Sequence, residues 1–349
     1  MPIGAKPTID PERLQVAYDL LREGVTSGEL PVGALAVANS QETIRCEAYG
    51  PSGEIDTNRI FLIASITKPI VATAIMQLVE RGRLLIEDPV ATYIPEFAVN
   101  GKVGVKVWHL LTHTSGMADD YWRERGVQPT PQRNLEGALQ THLRFPPGSR
   151  FEYSNVSYTI LGELIARLSG MSYQDYLQER VFQPAGMVDS SFCLDDENRS
   201  RLLPVLDFPD YPGGPEGFIS LALPAGGILS TAADLVAFGQ AFLNCGKGRQ
   251  GRLLGPAALK VMTSLQTEGI LEHKNGSTVP ARWGLGWEKA MPGEGRLLSP
   301  AGFGHGGMTG GYLWIDPEFG LVVVFLTNRA NLDGRRRKSI INAVMASVV

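Results

Sequence analysis

Ser65-Ile66-Thr67-Lys68 places a hydroxyl three residues ahead of an amine, and such a pair can carry out acyl transfer. A serine hydroxyl is a weak nucleophile until a neighbouring base takes its proton. At a separation of three on a helix, the two side chains stand on one face, one above the other. An amine held in a dry pocket has a lowered pKa and can accept that proton. A helix N-terminus adds partial positive charge where an oxyanion would form. The same spacing also fits a helix cap followed by a surface lysine. Ile63, Ile66, Ile70 and Val71 speak against that plainer reading, because a lysine without a task is uncommon in an apolar run.

Two further segments carry chemistry. Tyr153-Ser154-Asn155 offers a phenol that can act as a base if cations lower its pKa from about 10. Asn155 adds an amide able to bond both the lysine and a substrate carbonyl. The alternative is a helix capped by Ser154 or Asn155 above a packed Tyr153. The segment Phe303-Gly304-His305-Gly306-Gly307-Met308-Thr309-Gly310-Gly311-Tyr312 holds five glycines in ten residues. That many glycines weaken an ordinary strand but suit one whose edge a ligand must approach closely. The N–H of Met308 could then donate to an oxyanion beside the N–H of Ser65; a flexible hairpin with a solvated histidine fits as well. His109 and His113 could share a helix face as metal ligands. They lack an intervening glutamate and a third ligand, so packing or loop-capping roles are expected and no metal is assigned. Trp108, Trp122, Trp283, Trp287 and Trp314 are expected to fill core or cleft walls. No Gly-x-Ser-x-Gly elbow occurs, which argues against an α/β-hydrolase.

The elements that must position these residues follow from periodicity. Helical spacing covers 11–26, with Leu14, Ala17, Leu20 and Leu21 on one side. Strands are expected at 32–38, 43–49 and 61–64. A buried helix follows the Ser65 segment, with Pro69 in its first turn and Gly82 as its stop. Helices at 107–111, 156–168, 173–182 and 231–243 alternate with Gly- and Pro-rich loops, the last capped by Thr231 and Asp234. Strands return at 283–287, 302–305, 311–316 and 321–327, and a helix closes the chain. The fold class is α/β (α+β): an antiparallel sheet built from both ends of the chain, flanked by N- and C-terminal helices, with a mainly helical insertion. The expected division is a discontinuous sheet domain, 8–82 plus 253–349, and a helical domain, 83–252, with the active site in the cleft between them. Segments 121–150 and 207–218 are expected to shape the pocket.

Composition narrows the function classes. The 349 residues carry a formal charge of -4, and 44% are hydrophobic, so disorder and a broad nucleic-acid-binding surface are both excluded. Arg335-Arg336-Arg337-Lys338 reads as the solvated first turn of the last helix. Cys46, Cys193 and Cys245 form no disulfide framework or metal spacing. No membrane span and no secretory leader are seen, and a cytoplasmic location is expected.

Taken in order, Ser-x-x-Lys, Tyr-x-Asn and the Gly-rich strand resemble the class C β-lactamases, D,D-peptidases and family VIII carboxylesterases. Residues 110–117 (Leu-Leu-Thr-His-Thr-Ser-Gly-Met), 226–235 (Gly-Gly-Ile-Leu-Ser-Thr-Ala-Ala-Asp-Leu) and 283–287 (Trp-Gly-Leu-Gly-Trp) resemble the same superfamily. The resemblance runs from about residue 12 to the end. It implies a β-lactamase/D,D-peptidase-like fold and an acyl-enzyme on Ser65. Lys68 and Tyr153 would form the base network, Asn155 would position substrate, and the N–H groups of Ser65 and Met308 would form the oxyanion hole. The implied partner is a small-molecule ester or amide, and no metal or organic cofactor is implied. His305-Gly306-Gly307 departs from the Lys-Thr-Gly of lactamases. Histidine is only partly charged near neutral pH, and Gly306 lacks a hydroxyl. This favours a carboxylesterase acting on small or medium acyl esters, with His305 largely neutral and tuning Tyr153. The alternatives are a D-amino-acid peptidase, amidase or acyltransferase, and a β-lactam-binding receptor without turnover.

Overall fold

The computed structural model describes residues 8–119, 129–274, 276–290 and 295–349. Its strands are β1 (Gly33–Ala38), β2 (Thr43–Gly50), β3 (Gly53–Glu54), β4 (Phe61–Leu62), β5 (Leu229–Ser230), β6 (Leu271–Lys274), β7 (Ser277–Pro280), β8 (Glu288–Lys289), β9 (Phe303–Gly306), β10 (Tyr312–Asp316) and β11 (Leu321–Thr327). Seven of them form one antiparallel sheet in the order β3-β2-β1-β11-β10-β9-β8. Strand β11, Leu-Val-Val-Val-Phe-Leu-Thr, is buried along its whole length because both sheet faces are covered. Alternation sorts the side chains between those faces. Leu35, Val37, Val323 and Phe325 pack towards helix α1 (Pro11–Thr26) and the closing helix, Arg335–Ala346. Ala34, Ala36, Val322 and Val324 face the other core. That second face meets the Ala232–Leu243 helix, which lies on β1, β10 and β11 although its sequence falls within the segment expected to be helical domain. Gly239 permits the approach: a Cβ there would stand 2.5 Å from Cγ1 of Val322.

Helix α1 begins as its sequence predicts, with Asp10 accepting from the N–H groups of Glu12 (2.9 Å) and Arg13 (3.2 Å) ahead of Pro11. Three expectations need correction. Residues 283–287 make no strand. Gly286 is left-handed (φ +80°), and the N–H groups of Leu285 and Gly286 donate to the carbonyls of Met262 and Leu111 rather than to a ladder. The helix expected over 173–182 stays α-helical only at Tyr173–Leu177 and widens into a π turn at Gln178–Phe182. Pro184 has no N–H for the carbonyl of Arg180, which accepts Nε2 of Gln77 instead, at 2.7 Å. Finally, the basic run is solvated only at Arg335 and Lys338. Arg336 pairs with Glu29 (2.8 Å) and Glu23 (3.3 Å), while the Arg337 guanidinium lies 5.0 Å from the Tyr312 ring centre.

Candidate active site

Every residue from Ile60 to Leu78 is buried except Ser65, which is half-buried. The exception comes from local backbone. Ala64 sits at φ +47°, a conformation that costs a non-glycine residue on the order of 1 kcal/mol. It starts a single 3₁₀ turn, Ala64–Ile66, that turns Ser65 outward before helix α2 (Thr67–Glu80) begins. Ser65 therefore precedes the helix rather than lying in its first turn. Neighbouring segments hold the turn. Ile63 donates its N–H to the carbonyl of Ile228 (3.0 Å), and Thr309 Oγ1 donates to the carbonyl of Leu62 (2.7 Å).

Helix α2 is enclosed on all sides over most of its length, so Lys68 is 0% exposed. Its Nζ donates to Ser65 Oγ (3.1 Å), Asn155 Oδ1 (2.9 Å) and the Ala225 carbonyl (2.7 Å). Burial pushes its pKa from 10.5 down to about 7, against the opposing pull of the Asp119 carboxylate. The amine is thus poised between donor and acceptor at neutral pH.

Asn155 is free to face Lys68 because another residue caps its helix, α5, after the shorter helices α3 (Val107–Leu111) and α4 (Pro131–Gln140). Helix α5 spans Val156–Ser169. The Asp119 carboxylate accepts from the N–H of Asn155 (3.2 Å), Asn155 Nδ2 (2.8 Å) and the N–H of Val156 (2.8 Å). An anion at a helix N-terminus is favoured, and here it also orients the amide. Asp119 was not singled out from sequence; it stands at no motif spacing.

The Tyr153 ring centre lies 4.8 Å from Lys68 Nζ, its phenol points to Ser65, and 36% of the residue remains exposed. Burial raises the phenol's pKa above its ordinary 10, with the bond to Ser65 in partial opposition. The balance favours the protonated phenol. His113 backs the ring, with ring centres 4.3 Å apart and planes 24° apart. His113 Nδ1 also accepts the N–H of Ser154 at 3.1 Å, and its carbonyl accepts that of Glu152 at 2.9 Å. His109 is committed elsewhere, its Nδ1 accepting the N–H of Lys106 at 2.9 Å. The two histidines thus cap and pack separate backbone segments. No group of three metal-ligating side chains occurs among the described residues. Trp283 joins the wall behind Tyr153, 4.9 Å from His113 and 5.4 Å from His305 by ring centres. Trp287 and Trp314 are core residues, Trp108 bonds Gln266, and Trp122, like the rest of 120–128, lies outside the described residues.

His305 lies on β9 with its ring 6.1 Å from that of Tyr153. Its Nδ1 is 2.7 Å from the Gly306 carbonyl, which can only accept, so Nδ1 carries the proton. Burial, then the nearby Lys68 charge, push its pKa down to about 3, so the ring is neutral. Strand β8 pairs only with Phe303 and Gly304, which leaves the His305–Gly306 edge of β9 without a strand partner. Gly307 requires its lack of a side chain: a Cβ there would meet the Ile63 carbonyl oxygen at 2.5 Å and Ala64 Cβ at 3.4 Å. That close approach brings the Met308 backbone alongside the Ser65 turn. Ser65, Lys68, Tyr153 and Asn155 thus converge on one point, with His305, Gly306, Gly307 and Met308 along its flank. The residues that sequence reasoning did not assign to the site are Asp119, His113 as the support of Tyr153, and the Ala225 carbonyl.

Comparison with known proteins gives a consistent result. The family model described as Beta-lactamase matches residues 18–345. Penicillin-binding protein 4 of Amycolatopsis lactamdurans is 30% identical over 90% of this chain and 84% of its own length. Esterase EstB of Burkholderia gladioli is 29% identical over 91% of this chain and 90% of its own. Among solved structures, a penicillin-binding protein homolog from Caulobacter crescentus superposes with a TM-score of 0.83 at 22% identity, covering 97% of this chain and 99% of its own.

Proposed function

This chain belongs to the beta-lactamase family of serine hydrolases, and we propose that within that family it is a carboxylesterase that forms an acyl-enzyme on Ser65. Ser65 Oγ attacks the ester carbonyl as its proton passes to Lys68 Nζ, 3.1 Å away. The carbonyl oxygen, now negative, is met by the N–H groups of Ser65 and Met308. The protonated Tyr153 phenol, beside Ser65, supplies a proton to the departing alkoxide and recovers one through Lys68. Water then enters by the reverse route and releases the acid. Asn155 holds Lys68 and offers its amide to the substrate carbonyl. No step calls for a metal or organic cofactor.

The observation that carries the choice of substrate is His305. Penicillins and D-alanyl peptides bring a carboxylate, which a permanent cation on β9 would hold. This chain has a buried neutral imidazole there, its one proton already given to the Gly306 carbonyl, and no hydroxyl at Gly306. Esters without a carboxylate lose nothing by that change. The peptidase reading draws support from the similarity to penicillin-binding protein 4, and from a phenol that stays protonated and so could serve an amine leaving group. Comparing kcat/KM for p-nitrophenyl butyrate, nitrocefin and a D-alanyl-D-alanine peptide separates the readings. Butyrate should lead by at least a hundredfold. Equal or better peptide turnover, or a lasting β-lactam adduct without ester turnover, overturns the esterase assignment.

A further inference from the structure

The cleft wall beside Ala225 and Gly226 is built by a segment that the chemistry above leaves without a task. Residues Gly214–Ser220 form a short helix that carries Phe218. Cζ of Phe218 lies 3.4 Å from where a Cβ on Gly226 would stand, and that same point is 3.5 Å from the carbonyl carbon of Ala64, the residue before Ser65. The ring tip thus fills the space beside the nucleophile's turn that a side chain at 226 would otherwise take. Phe218 is half-buried, packing with Phe208 against Ile60, Leu62, Val205 and Leu229. Phe208 and Tyr211 support it edge to face, with ring centres at 5.5 and 5.4 Å.

The patch is held rather than loose. Leu206 donates its N–H to the Asn328 carbonyl (2.7 Å) and accepts from the N–H of Ala330 (2.9 Å), which ties the segment to the end of β11. Asp207 pairs with Arg329 at 2.9 Å. The tight turn into the short helix depends on Gly217, where a Cβ would stand 2.2 Å from the Pro212 carbonyl oxygen.

The tetrahedral carbon formed when Ser65 attacks bears three groups besides Oγ. The Ser65 and Met308 N–H groups claim the oxygen, and Tyr153 serves the leaving group. By elimination the acyl chain takes the remaining side, where Gly226 stands against Ala64. We propose that Phe218, backed by Phe208 and Tyr211, forms the wall of the acyl pocket and selects esters of aromatic and medium-chain acids. This inference rests on the esterase reading and names its substrate class. Apolar side chains packing on an aromatic face gain contact that an acetyl group cannot make.

The test uses the full chain and two ester series. One keeps p-nitrophenol and varies the acid: acetate, butyrate, hexanoate and phenylacetate. The other keeps acetate and varies the alcohol. In Phe218→Ala the phenylacetate-to-acetate ratio of kcat/KM should fall about tenfold, which is about 1.4 kcal/mol, while the ranking of alcohols stays as in the wild type. Phe218→Leu keeps an apolar side chain in the patch, and its phenylacetate-to-hexanoate ratio should fall even if the alanine variant folds poorly. A wild-type enzyme that turns over esters, with acid preference unmoved in the leucine variant or with the alcohol ranking moved instead, overturns the pocket assignment alone. A wild-type enzyme inert to both series overturns the esterase reading and this inference with it.

Discussion

Asp119→Asn removes one charge from the site with a side chain of nearly the same size. The carboxylate lies behind Asn155, which donates Nδ2 to it at 2.8 Å and accepts from Lys68 at 2.9 Å through its other amide atom. Charge and amine are therefore roughly 7 Å apart, and at an effective dielectric near 20 they attract by about 2 kcal/mol. Asp119 is half-buried, and solvent screening reduces this to about 1–1.5 kcal/mol, or roughly one pH unit. The carboxylate favours protonated Lys68, so its removal should lower the pKa of Lys68 further below the present value of about 7. Because the free amine is the base, the acidic limb of kcat/KM against pH should move down by about one unit, and activity at pH 6 should rise relative to the plateau. The assay is a p-nitrophenyl ester followed from pH 5 to 9, with a thermal melt to confirm folding. Asparagine keeps only one of the two acceptor oxygens that Val156 and Asn155 share between them, so the plateau should fall as well. A limb that stays in place, or moves to higher pH in a folded variant, refutes Lys68 as the titrating base. The same burial affects stability. The folded pKa lies below the unfolded 10.5, so the unfolded chain binds more protons between those values. Stability should therefore rise with pH from about 7 to 10.5, and Lys68 should weaken the fold below pH 7 by roughly 5 kcal/mol.

Other perturbations bear on the rest of the site. Ser65→Ala should abolish both ester turnover and labelling by a fluorophosphonate, with the melting temperature preserved; a labelled peptide from any other serine moves the nucleophile elsewhere. Tyr153→Phe and Lys68→Ala should each lower kcat by roughly 10²–10⁴-fold, and full activity in either breaks the proton route. Gly307→Ala should force the Met308 segment away from the Ile63 carbonyl, destabilising the fold by about 1–3 kcal/mol and reducing kcat more than it raises KM. His305→Ala should open the β9 side of the Tyr153 ring to water and so change the basic limb of the pH–rate profile; an unchanged limb removes any tuning role from His305.

The sheet and its flanking helices were legible because their signals are local. Leu321–Thr327 is apolar without a break, and Pro11–Thr26 carries both a cap and a 3.6-residue period. The Ser65, Tyr153 and Gly307 segments announced themselves through residue types that ordinary packing does not favour at those places, and the structure brings them together. What escaped is information held between distant segments. Residues 283–287 have strand composition, but their N–H groups find acceptors on Met262 and Leu111, which no window of the sequence contains. Arg336 looks solvated until Glu23 and Glu29, far away in sequence, are set beside it. Asp119 and His113 act through partners about forty residues on, at Asn155 and Ser154. The direction of Tyr153's shift likewise depends on how dry its surroundings are, which residue type alone does not disclose.

The main sheet places its first strand beside its last: Gly33 pairs with Thr327, and the N–H of Asp10 reaches the carbonyl of Ser347 at 2.8 Å. On a ribosome, β1 must wait with only β2 beside it while nearly three hundred further residues are made, since its other neighbour β11 follows the whole helical region. Contacts so distant along the chain slow folding and leave an apolar strand edge open to strangers meanwhile. The same adjacency has a useful side. Residues 8 and 349 are close enough to be stitched together by a short linker, so a circularly permuted gene, opened at a surface loop of the helical region, would let both halves of the sheet be synthesised consecutively.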